Sequence, residues 1–146
     1  MKKMMLMFSG LLLAVAVFAQ TNSQADSKVK FKEYTYDFGK IKQGVPVTHD
    51  FEFTNVSNSP VIIESATATC GCTTPIKPEQ PVMKGKSNKI TAGFNAEAVG
   101  TFNKSIYIKV AGVQAPVELK ITGEVLSAGD FAKFEKSKPS KAGAGQ

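Results

Sequence analysis

Through the middle of the chain, apolar and polar residues alternate with a period of two. Val45, Val47, His49, Phe51, Phe53 and Asn55 fall on one side of an extended segment, and Pro46, Thr48, Asp50, Glu52 and Thr54 on the other. This is the pattern of a half-buried strand in an antiparallel sheet. It returns at Ile90, Ala92 and Phe94, which alternate with Lys89, Thr91 and Gly93. It returns again at Phe102, Ile106, Ile108 and Val110, with Lys104 the odd member of the face, and at Val117, Leu119, Ile121, Gly123 and Val125. Phe31 to Phe38 opens the series, and Val61-Ile62-Ile63 begins a short strand running to Ala68. Turn residues separate these runs: Gln43-Gly44 between the first two, Asn55 to Pro60 before the third and Lys84 to Asn88 further on. Hairpins are expected at Ala98-Val99-Gly100 and Ala111-Gly112-Val113. No helical stripe interrupts the pattern, so the prediction is an all-β sandwich of about seven antiparallel strands. Phe51, Phe53, Phe94, Phe102, Ile106, Ile108, Leu119 and Ile121 are the predicted core, each contributing about 1.5–3 kcal/mol on burial.

The two ends leave this pattern. Met1-Lys2-Lys3 is a short positive segment, Met4 to Val17 is apolar apart from Ser9 and Gly10, and Val17-Phe18-Ala19 suits a signal peptidase. Residues 1–19 therefore read as a cleaved signal peptide, too short for a comfortable membrane span. Residues 20–28 read as a polar, flexible leader and residues 29–126 as one domain. Residues 127–146, ending in a Lys/Gly/Ala-rich run, read as a tail too polar to order itself. Phe131 and Phe134 are its exceptions, suited to a last helical turn that docks on the domain.

Charge changes the picture little. The formal charge of +6 falls to +4 without Lys2 and Lys3, and from Phe31 to Leu126 ten lysines face nine acids. All eighteen basic residues are lysine. A nucleic-acid reader draws on the bidentate fork of arginine, so the basic balance reads as a solvated surface with a basic tail. That tail, Lys133 to Lys141, suits weak attraction to anionic envelope polymers.

One segment hints at chemistry: Thr69-Cys70-Gly71-Cys72-Thr73-Thr74-Pro75, which holds the only two cysteines. They are too close in sequence to bridge two sheets, and there is no tryptophan, so the core is not of the antibody type. A disulfide between residues i and i+2 needs a bend, which Gly71 is expected to allow, and it closes a very small, labile ring. Four readings stay open. The pair is a structural element of a tight loop, bridged or packed; a thiol–disulfide exchange site, with Lys77 the nearest cation in sequence; a soft-metal site for copper(I); or a site of modification. A zinc site would want four ligands, and His49 is the chain's single histidine. In phase with Val47 and Phe51, His49 reads as a packed or hydrogen-bonded strand residue. No serine triad, paired carboxylates or phosphate-cradling glycine loop is present; Asp37 and Glu64 cannot be related from sequence. Asn55-Val56-Ser57 and Asn103-Lys104-Ser105 match the glycosylation sequon by chance.

Tyr36-Asp37-Phe38-Gly39-Lys40-Ile41, followed by His49-Asp50-Phe51-Glu52-Phe53-Thr54-Asn55, resembles a bacterial family of exported domains. Ala66 to Pro75 resembles that family's diagnostic segment, and Leu119 to Val125 its closing strand. The family is domain of unknown function 1573, and the resemblance runs from about Phe31 to Val125. It implies an immunoglobulin-like fold of the Hydin and major sperm protein group and an envelope location, usually in Bacteroidetes-like bacteria. It implies no activity.

The function expected from these readings is an exported, non-enzymatic binding or structural module of the bacterial envelope, periplasmic or secreted. Its expected partner is another envelope protein, with no cofactor and no nucleic acid. The contact surface is a sheet edge or the loop end carrying Cys70 to Pro75. The alternative is a thiol–disulfide exchange or copper(I)-handling protein acting through Cys70 and Cys72.

Overall fold

A computed structural model describes residues 28–138. The expected signal peptide, most of the leader and the end of the tail lie outside the described residues. Lys28, counted with the leader, belongs to the domain: its ammonium donates to the Ala111 carbonyl at 2.8 Å.

The alternating segments form strands that stack into two four-stranded sheets. The first sheet contains β1 (Val29–Phe31), β3 (Val47–Asn55), β6 (Ser87–Phe94) and β5 (Thr73–Ile76), in that spatial order. The second contains β2 (Thr35–Lys42), β8 (Val117–Leu126), β7 (Gly100–Val110) and β4 (Ile63–Ala68), again in order. Their inner faces interdigitate as one core, and all eight residues predicted for it are buried. Phe51, Phe53 and Ile90 from one sheet meet Ile106, Leu119 and Ile121 from the other with no exposure to solvent.

Four features depart from the sequence reading. The opening segment is two strands, not one. β1 ends at Phe31, whose ring packs on Phe53 at 5.3 Å and Tyr34 at 5.7 Å, and the chain then crosses to the other sheet. β2 pairs with β8 in parallel, whereas the other pairs are antiparallel. A bulge interrupts the parallel pair at Gly39 (φ +66°), whose N–H bonds back to the Asp37 carboxylate at 2.9 Å. Ala98-Val99-Gly100 is not a hairpin but a crossover from β6 to β7 in the other sheet; Ala111-Gly112-Val113 does turn the β7–β8 hairpin. The period-two pattern separates inward from outward residues, but both sheets present the same pattern, so it does not reveal which strands pair.

The fourth departure is a helix, α1 (Ala128–Ser137), in the tail expected to be disordered from residue 127. Ser127 caps it: the Asp130 N–H donates to the Ser127 hydroxyl oxygen at 3.2 Å, and that hydroxyl donates to the Asp130 carboxylate at 2.8 Å. Lys136 in the last turn suits the helix dipole. Phe134 places its ring 5.3 Å from the Lys40 ammonium of β2, and Phe131 packs on Phe134 at 6.2 Å, so of the two phenylalanines expected to dock it is Phe134 that meets the domain. No helix among the described residues is long and apolar enough to cross a membrane.

Candidate functional site

The strand order places the C-G-C segment at a structural joint. β4 is the last strand of one sheet and β5 the last strand of the other, and residues 69–72 connect them. The cysteines are bonded to each other, with Cα atoms 5.4 Å apart, within the span a disulfide accepts. The bridge is local, as the spacing demands, yet the connector it closes is the one that switches sheets along an open side of the sandwich.

Backbone hydrogen bonds fix both ends of the joint. The Thr69 N–H reaches the Ser105 carbonyl on β7 at 3.1 Å, and the Asn95 N–H reaches the Cys72 carbonyl at 3.0 Å. Within the turn the Thr73 N–H bonds to the Cys70 carbonyl at 3.3 Å. Gly71 does not play the part expected of it. It has no positive φ, and a Cβ added there would meet nothing within 4 Å. The bend is within reach of any residue. The glycine that does matter is Gly93 of β6, where an added Cβ would lie 2.8 Å from the Thr74 hydroxyl and 3.3 Å from its carbonyl.

Thr73 is buried, and its hydroxyl lies 3.8 Å from the Cys70 sulfur and 4.0 Å from the Cys72 sulfur. Thr74 and Ile76 are exposed on the edge strand, Ile76 to 66%. Pro75 pairs with Ala92 on the inner side of β5, which fits the confinement of proline to edge strands.

Beside the turn is a cavity of about 190 Å³ lined by Cys72, Phe94, Glu97, Val99, Phe102 and Lys104, among others. Phe94 and Phe102 stack at 4.1 Å and form its apolar wall. Lys104 is the residue that broke the apolar face of β7, and the fold gives its irregular position a place in the lining of this cavity. Lys77, the cation nearest the cysteines in sequence, instead faces Glu79 at 3.8 Å. A larger hollow of about 430 Å³ lies at the β2–β8 bulge, lined by Asp37, Lys40, Phe102, Gly123 and Glu124, among others.

His49 is not near the cysteines in the sheet: β6 separates its strand from β5. Its ring stacks on Tyr36 at 3.5 Å, meets Phe51 edge-on at 4.8 Å, and bonds through Nε2 to the Glu33 carboxylate at 2.7 Å. It is a packed, hydrogen-bonded strand residue, as its phase suggested. Asp37 and Glu64 sit on opposite edge strands of the second sheet and share no site. No group of three or more histidine, cysteine, aspartate or glutamate residues converges on a metal position among the described residues. Bonded to each other, Cys70 and Cys72 present no thiolate, so a soft metal would first require their reduction.

Two carboxylates on the strands are held below their usual range, as is Asp130 at the helix cap. Asp50 accepts hydrogen bonds from Lys89 first and then Thr91, and Glu118 accepts from Ser105 and lies beside Lys120. Asp50 and Glu118 sit on outer faces of the sheets and serve them as cross-strand ties.

The family described as "Protein of unknown function (DUF1573)" matches residues 29–125, which run from the start of β1 to the end of β8 but one residue. The chain belongs to this family. No curated protein matches the sequence. Solved structures resemble the DUF1573 domain in fold. A protein of unknown function from Porphyromonas gingivalis W83 superposes with a TM-score of 0.57 at 18% identity, covering 66% of this chain and 46% of that one. The seventh PapD-like (ASH) domain of human CEP192 superposes with a TM-score of 0.55 at 11% identity, covering 82% of this chain and 99% of the domain. The VesB protease of Vibrio cholerae superposes with a TM-score of 0.54 at 12% identity, and the likeness covers 70% of this chain but only 33% of the protease. At these identities the likeness is one of architecture: the DUF1573 domain is an immunoglobulin-like sandwich.

Proposed function

We propose that this protein is a non-enzymatic binding module of the bacterial cell envelope, exported through its N-terminal signal segment, and that it contacts another envelope protein through the corner where β4 meets β5. The observation that carries this reading is the joining of two edge strands by a disulfide-closed turn. Each edge strand has one side with backbone groups outside the sheet ladder, the usual template for adding an extended segment of a partner. The disulfide limits how far the two edges can move relative to each other, which lowers the entropy lost when a partner docks. Ile76, exposed beside the turn, supplies apolar area, and Thr67 and Thr74 supply a polar rim.

The reading is tested by capture of detergent-solubilised envelope proteins on the immobilised protein and on Thr67→Lys and Ile76→Lys variants. Both positions are exposed, so the fold should survive, as circular dichroism will show. Loss of a bound protein in the variants is expected. An identical set of bound proteins on wild type and both variants sinks the edge-contact reading.

A further inference from the structure

The surroundings of the disulfide suit it to more than bracing a corner. The β4–β7 register sets Thr67 opposite Tyr107 and Ala68 opposite Ile106, and the Thr69 hydrogen bond to Ser105 extends it. The paired register ends at Ala68 and Ile106; continued two residues past them, in phase with that pair, it would set Cys70 on the Lys104 side of the turn. Lys104 is half-buried, and its side chain forms no hydrogen bond or ion pair among the described residues. Of the two cysteines, Cys72 is the one that lines the 190 Å³ cavity, and Lys104 lines it too. The buried Thr73 hydroxyl has the two sulfurs as its neighbours, at 3.8 and 4.0 Å. A disulfide sulfur is a weak acceptor, whereas a thiolate is a strong one. The hydroxyl and the cation are thus placed to gain partners when the bond opens.

We propose that Cys70–Cys72 is a thiol-addressable disulfide: a thiolate enters through the cavity and attacks the Cys72 sulfur, Cys70 departs as the thiolate, and Lys104 and Thr73 are the positioning residues that favour this step. The incoming thiolate forms a sulfur–sulfur bond to Cys72 as the Cys70–Cys72 bond breaks, and the electron pair of that bond leaves on Cys70. A second thiol, from the same dithiol protein or from another small thiol, then attacks the mixed disulfide. It releases Cys72 and forms a disulfide between the two reductants. Two thiols are oxidised, the cysteine pair is reduced, and the two protons of the reductants end on Cys70 and Cys72. The Lys104 charge attracts the attacking anion and stabilises the departing one, since a better-stabilised leaving thiolate departs faster.

The experiment measures opening of the disulfide in the native full chain by two thiols of opposite charge, a sulfonate-bearing thiol and an amine-bearing thiol, compared at equal thiolate concentration. Iodoacetamide traps the freed cysteine, and peptide mass analysis locates the label. The label is expected on Cys70. The rate ratio of anionic to cationic thiol is expected to fall about 5- to 10-fold in Lys104→Gln, the size of one charge at a half-buried distance, and to recover in Lys104→Arg. Thr73→Val is expected to slow both thiols alike, leaving the ratio unchanged. In the wild-type protein, added salt slows the anionic thiol and speeds the cationic one, a readout that does not depend on any variant folding. Label on Cys72, a charge ratio unchanged in Lys104→Gln, or opening that occurs only in urea-unfolded protein overturns the proposal. None of these outcomes bears on binding at the β4–β5 edge, so the two readings fail separately.

Discussion

Replacing Asn55 by alanine should unfold the protein more readily than most single changes outside the apolar core. Asn55 is fully buried at the end of β3, and its side chain makes four hydrogen bonds. Its amide donates to the carbonyls of Ser59 and Val82, both at 2.8 Å, and its oxygen accepts from the Ser57 N–H at 2.9 Å and the Ser57 hydroxyl at 2.8 Å. One side chain thus holds the turn after β3 against the Val61–Val82 bridge. Each such bond contributes about 0.5–1.5 kcal/mol net, and a buried group left without a partner costs about 1–3 kcal/mol. The losses are not fully additive. The Val82 carbonyl keeps the Val61 N–H, and the Ser59 carbonyl and Ser57 hydroxyl keep each other, so of the four partners only the Ser57 N–H is left without one. The expected loss is therefore about 2–4 kcal/mol, a fall in Tm of roughly 8–16 °C for a domain of this size. Urea unfolding followed by far-ultraviolet circular dichroism measures it directly. Asn55→Asp is the sharper control: it conserves shape and the accepting oxygen but turns a carboxylate toward two carbonyls. It should be the worse variant at pH 7. Because that environment raises the folded-state pKa of the new acid, its deficit should shrink as pH falls and the acid protonates. A loss below about 0.5 kcal/mol for alanine, or an aspartate variant as stable as wild type at pH 7, would refute the reasoning.

Three further outcomes follow from positions described above. Gly71→Ala should change stability by less than about 0.5 kcal/mol, because the added methyl meets open space and the backbone there has no positive φ; chemical denaturation checks it. Gly123→Ala should cost about 1–3 kcal/mol by the same assay, since its Cβ would lie 2.7 Å from the Phe102 ring and 2.9 Å from the Gly39 carbonyl, the backbone of the β2 bulge. Asp50, held below its ordinary pKa first by Lys89 and then by Thr91, contributes stability above the unfolded-state value that is lost as pH falls through the lower folded-state value. Asp50→Asn should therefore weaken the acid-side loss of stability in a pH series of urea midpoints, and an unaltered acid limb would contradict it.

The inward and outward faces of the strands were legible from period alone, because a sheet with one buried face forces alternation. That is why Phe51, Ile106 and Leu119 could be named as core from sequence. Partners were not legible. The parallel pairing of β2 with β8 joins the two ends of the domain, and no local pattern encodes it. Helix α1 was half legible: Phe131 and Phe134 marked a helical turn, and Ser127 three residues before Asp130 is the capping pair that extends it to ten residues. Asn55-Val56-Ser57, set aside as a chance sequon, is the Asx turn that fastens the end of β3. At the C-G-C segment the cysteines announced themselves, but Gly71 drew attention that belonged to Thr73 and Lys104. Lys104 stood out only as a charge in an apolar phase, and the cavity it shares with Cys72 is formed by residues more than thirty positions apart in sequence.

Energetics place the disulfide outside the support of the core. Closing a loop of about three residues contributes about 1–2 kcal/mol by chain entropy, comparable to one buried core side chain among many. Its effect is local: it closes the turn that connects the edges of the two sheets, at the corner assigned here to binding and thiol attack. Amide hydrogen exchange on the oxidised and the reduced protein tests this most directly. Reduction is predicted to speed exchange across residues 69–76 and the adjoining end of β4, while β3, β7 and β8 keep their protection. Unchanged exchange at residues 69–76, or loss of protection throughout both sheets, would contradict the account.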